Sequence, residues 1–86
     1  MKEIVRLDEI APGECATVHE LRNEGHMRRR LCDLGLVEGA EIVCVGKSPS
    51  GDPRAYLICG AVIAIRRADS AKITVQRKKS EARIWD

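Results

Sequence analysis

"RRRLCDLGLVEGAEIVCV", residues Arg28 to Val45, joins a helix end, two turns and a strand, and its reading decides the fold. Counting from Met27, Leu31 and Leu34 fall at i, i+4 and i+7, which is one buried stripe of a helix. Arg28, Arg29, Arg30 and Asp33 then lie round its sides and back. Gly35 follows as the residue that ends a helix in a left-handed conformation. Leu36 is placed under the helix end, and Gly39 turns the chain. "IVCV", Ile42 to Val45, reads as a central strand buried on both faces. Upstream, Asn23 is a helix cap with Glu24 in the first turn, where negative charge suits the helix dipole. The spacing therefore predicts one short helix over about residues 24–34, inserted between strands.

Working outward, "EIVRL" is a first strand with Ile4 and Leu7 facing the core, closed by the turn signal Ala11, Pro12 and Gly13. In "CATVHELR", Cys15, Thr17, His19 and Leu21 face one way, and Ala16, Val18 and Glu20 the other, with Val18 in the core. "KSPSGDP" is an exposed loop, the kind of surface on which binding residues concentrate. "RAYLIC" and "AVIAIRR" are strands joined tightly at Gly60, with Ile58, Ile63 and Ile65 inward. "ADSA" is a brief turn, one helical turn started by Asp69, before a last strand with Ile73 and Val75 inward. The expected domain is 1–76. Residues 77–86 form a charged tail, expected to be disordered unless Ile84 and Trp85 dock.

Composition agrees with a small β protein. Eighty-six residues make one domain, and the sole aromatics are Tyr56 and Trp85, so the core must be aliphatic. β-branched residues crowd the strands, favouring sheet over helix. The 15 Lys+Arg against 13 Asp+Glu leave +2, too little excess to hold the protein on phosphate by charge alone. Stacking platforms for unpaired bases are missing too. No nucleic acid partner is expected. The N-terminus alternates apolar and charged residues instead of resembling a secretory signal, and no apolar run nears the ~20 residues that span a bilayer. A cytoplasmic protein with four free thiols is the expectation.

Catalysis needs a nucleophile with a base, paired carboxylates or an open metal site, and none is evident; no enzyme is expected. Cys15, His19, His26 and Cys32 are the weak candidates for a metal. Their spacing argues against one ion, since Cys15 and His19 on one strand stand about 13 Å apart at ~3.3 Å per residue. No cofactor is expected. Arg28, Arg29 and Arg30 fan over about 200° at ~100° per residue, so all three cannot form one flat patch.

From "RRRLCDLGLVEGAEIVCVGKSPSGDPRAYLICGAVIAIRRADSAKITV" the chain resembles the FeoA family, small cytosolic bacterial proteins associated with ferrous iron uptake. The resemblance lies in an Arg-rich helix running into "LGL", then Gly39, a strand, "GDP", a strand ending at Gly60, "IAIRR" with Asp69 and Ala71, and "ITV". It spans roughly residues 3–76. It implies a small SH3-like β-barrel with one short inserted helix. It also implies a non-catalytic accessory protein that binds the cytosolic GTP-binding domain of a FeoB-type transporter, reaching the membrane only through it. Arg28, Arg29, Arg30, Pro49, Asp52 and Tyr56 are the expected partner-binding surface. Two rival readings stand beside it: a nucleic-acid-binding module, since "EGAEIVCVGKSPSG" echoes KOW-type SH3-like modules, and a direct metal sensor.

Overall fold

A computed structural model describes residues 3–77. Strands β1 (Glu3–Arg6), β2 (Cys15–Leu21), β3 (Glu41–Lys47), β4 (Arg54–Ile58), β5 (Ala61–Ile65) and β6 (Ile73–Arg77) form one sheet. Its order is β1-β6-β2-β3-β4-β5, and every neighbouring pair is antiparallel. Helix α1 (Gly25–Asp33) enters between β2 and β3, and the single turn α2 (Arg67–Ser70) between β5 and β6. The protein is thus mainly β with one short inserted helix, as the sequence predicts.

Apolar burial explains the arrangement. Ala16 and Val18 of β2, Ile42 and Cys44 of β3, Tyr56 and Ile58 of β4, Ile65 of β5, and Ile73 and Val75 of β6 fill one interior, capped by Leu31 and Leu36. Leu7 and Ile10 complete it from a 3-10 turn at Leu7–Glu9. Two hydrogen bonds from β4 pin that turn: Arg54 Nη1 donates to the Ile10 carbonyl at 2.6 Å, and Tyr56 Oη to that of Leu7 at 3.5 Å.

Several local expectations are corrected. Ile4 is exposed, and Val5, paired with Val75, packs on the core instead. In β2 the pairing with β6 slips between Val18 and Glu20, so the face alternation shifts and Leu21 turns inward. β3 is buried on one face: Ile42 and Cys44 are inside, while Val45 is 45% exposed. One curled sheet with one helix has no second layer to cover its outer face. The helix starts one residue later than expected, at Gly25, and Asn23 does not cap it. Continuing the inward alternation from Leu21, Asn23 is buried, and its Nδ2 donates to the Asp69 carbonyl at 3.1 Å. α2 starts at Arg67, not Asp69. Arg77, assigned to the tail by sequence, is the last residue of β6 and pairs with Glu3 and Ala16. Ile84 and Trp85 lie outside the described residues.

Candidate functional site

On α1 and its C-cap residue Leu34, Met27, Arg30, Leu31 and Leu34 recur at i, i+3, i+4 and i+7, so they share a face. That face looks across a groove of about 470 Å³ at the end of β5 and the start of α2, whose wall is Ile63, Ala64, Ile65, Arg66 and Asp69. Leu31 and Ile65 form its buried floor, Leu34 stands partly exposed, and Arg30 and Arg66 are exposed at its rim. Among the described residues neither guanidinium has an ion-pair or hydrogen-bond partner. The α1 wall is held by Leu31 beneath it and by Asn23, whose bond to Asp69 ties the chain entering α1 to α2. The result is an apolar trough with a cationic rim and a single acid, Asp69.

The arginine triple divides by role. Arg28 bends back, its Nη1 donating to the Leu21 carbonyl at the end of β2. Arg29 is exposed, away from the groove, and Arg30 faces it. A signal for Arg30 was available in its spacing from Met27 and Leu34. Arg66 was legible as a basic residue but not as part of this groove, because only the tertiary fold sets β5 against α1.

The loop residues are distributed differently from the expectation. Asp52 Oδ1 accepts a hydrogen bond from the Arg67 backbone N–H at 2.9 Å, fixing the loop to the start of α2. Pro49 is exposed, and neither it nor Asp52 lines the groove. Tyr56 is corrected outright: it is fully buried, so it offers no surface to a partner. On β4 its inward direction is set by alternation with the buried Ile58. Burial, reinforced by nearby Cys44, pushes its hydroxyl pKa up to about 12.

Of the metal candidates, His19 and Cys32 line one shallow pocket of about 190 Å³ with Glu20 and Glu38. His19 Nδ1 is 3.2 Å from Thr74 Oγ1. Cys15 sits at the far end of β2, and His26 is exposed in the first turn of α1. Among the described residues, no three His, Cys, Asp or Glu side chains come together in a group that could hold a metal ion.

A sheet of this order with a helix after its second strand defines a small SH3-like domain, and comparison with known proteins agrees. The FeoA domain family model matches residues 5–77, and the chain belongs to that family, which is associated with ferrous iron transport. A Fe(2+) transport protein A/Fe(2+) transporter FeoB fusion protein of Porphyromonas gingivalis is 35% identical over 78 residues, covering 91% of this chain and 9% of the fusion. The chain therefore spans under a tenth of that relative's length. The solution structure of a FeoA protein from Chlorobium tepidum superposes with a TM-score of 0.83 at 36% identity, covering 87% of this chain and 71% of that one. A Stenotrophomonas maltophilia FeoA, a procaryotic SH3 domain protein complexed with zinc, gives 0.71 at 26% identity, over 88% of this chain and 99% of that one. No helix among the described residues is long and apolar enough to cross a membrane.

Proposed function

We propose that this protein is a non-catalytic, cytoplasmic accessory module of ferrous iron uptake that docks on the cytosolic GTP-binding domain of a FeoB-type transporter. The observation that carries the reading is the Porphyromonas gingivalis relative, in which a FeoA protein and the transporter are one polypeptide. Linking two modules in one chain raises their effective concentration to roughly millimolar, which serves a pair that works in contact. The site chemistry supports the reading. A trough with an apolar floor and two guanidinium groups that find no partner among the described residues suits a protein surface that combines apolar and acidic side chains.

The proposed contact surface centres on Arg30 and Arg66, with Arg29 and Pro49 at its periphery. Arg28 and Asp52 contribute indirectly, by holding α1 and the loop in place. The direct test is a pull-down with the transporter's purified cytosolic domain, its GTP binding confirmed in parallel. Capture of the wild-type protein is expected. Failure to capture it while the domain binds GTP overturns the reading.

A further inference from the structure

β5 is an edge strand. It leaves β4 through a two-residue turn, Cys59 and Gly60, with φ of 50° and 82°. In such a hairpin the residues flanking the turn exchange hydrogen bonds, and every second pair after them does the same. Ile58 with Ala61, Tyr56 with Ile63 and Arg54 with Ile65 are therefore the bonded pairs. The backbone groups of Val62 and Ala64 point the other way, to the open edge, where no described residue meets them. Protein edges are commonly blunted by proline, lysine or a bulge, whereas "AVIAI" carries no such device. The open edge gives onto the same groove, because Ala64 lines it opposite Leu31 and Leu34.

We infer that the groove accepts one extended peptide segment as an added antiparallel strand on β5. Its backbone pairs with Val62 and Ala64, an apolar side chain lies against Met27, Leu31 and Leu34, and a carboxylate sits between Arg30 and Arg66. Val62 and Ala64 are separated by ~6.8 Å at ~3.4 Å per residue, the repeat of alternate residues in an incoming strand. Strand addition draws affinity from main-chain bonds and specificity from alternate side chains. The rim fixes the sign of that specificity: Arg30 and Arg66 against Asp69 leave it net positive, so a carboxylate is favoured and an ammonium group disfavoured. The segment's source is the transporter domain, and only that attribution rests on the function proposed above.

The test uses the full chain, isotopically labelled, and the capped synthetic pentapeptide Ser-Val-Ser-Glu-Ser, whose valine and glutamate share one face of a strand, with Ser-Val-Ser-Lys-Ser as its lysine control. The glutamate peptide is expected to slow amide exchange at Val62 and Ala64 and to shift the resonances of Leu31 and Leu34. Arg66→Glu, an exposed position, is expected to weaken the peptide at least about tenfold. Ala64→Pro removes an outward N–H that the fold does not use, and is expected to abolish the protection. Unchanged exchange at Val62 and Ala64 in the wild-type protein, or equal binding of the lysine peptide, overturns the inference. Either result would leave the pull-down with the intact transporter domain to be judged separately.

Discussion

Gly35 and Cys59 meet where the end of α1 crosses the β4–β5 turn: a Cβ at position 35 would lie 2.6 Å from Cys59 Sγ and 3.2 Å from Ile58 Cγ2. Gly35 also has φ of +109°, a conformation that side chains oppose. Both constraints bear on how closely the end of α1 lies on the hairpin turn.

Gly35→Ala should therefore destabilise the protein by about 2 to 5 kcal/mol, combining left-handed strain of ~1–2 with overpacking of ~1–3 kcal/mol. Pairing it with Cys59→Ala, which removes the Sγ contact only, should recover about 1 kcal/mol and leave the backbone strain and the close approach to Ile58. Urea unfolding of the wild type, the two single variants and the double variant measures this coupling.

Asn23→Asp separates the two roles considered for that side chain. At a helix cap the two residues are near equivalent. Here the buried Nδ2 donates to the Asp69 carbonyl, and a carboxylate would face that oxygen instead. The substitution should cost about 2 to 4 kcal/mol at pH 7, falling as acid protonates the new carboxyl. Denaturant midpoints at pH 7 and pH 4 check this.

Tyr56 predicts an alkaline transition. Its folded pKa is pushed up to about 12 against 10.0 when unfolded, so the unfolded chain loses the proton first. Stability from this group is complete below pH 10 and declines as pH rises towards 12, by on the order of 2 to 3 kcal/mol. Tyr56→Phe should remove that component of the decline. At pH 7 it should cost about 1 kcal/mol for the lost bond to the Leu7 carbonyl. Thermal unfolding of both proteins between pH 7 and pH 12 reads the difference.

The adjacent arginines should behave unlike one another. Arg28→Ala loses the bond to the Leu21 carbonyl and should cost about 1 kcal/mol of stability. Arg29→Ala should stay within about 0.5 kcal/mol, as exposed substitutions generally do. Urea midpoints for the two variants make the comparison.

Periodicity made most of the fold legible. The helix stripe of Met27 and Leu31, the inward set Ile58, Ile65, Ile73 and Val75, and the turn glycines all follow from local patterns that packing did not override. What escaped was set by tertiary context. The slip in β2 that buries Leu21 leaves no mark in the sequence, since its alternation looks unbroken. Tyr56 reads as a surface aromatic beside a loop until alternation with Ile58 places it inside. The groove was half legible: Arg30 lies at helical spacing within a known stripe, but its pairing with Arg66 depends on residues far apart in the chain.

Calorimetric titration of the transporter's cytosolic domain with the wild-type protein and with Arg30→Glu/Arg66→Glu tests the docking reading most directly. Saturable binding of the wild type is predicted, weakened by at least about tenfold in the double variant, with unfolding midpoints unchanged. No binding by the wild type to a GTP-competent domain, or equal binding by the charge-reversed variant, would contradict it.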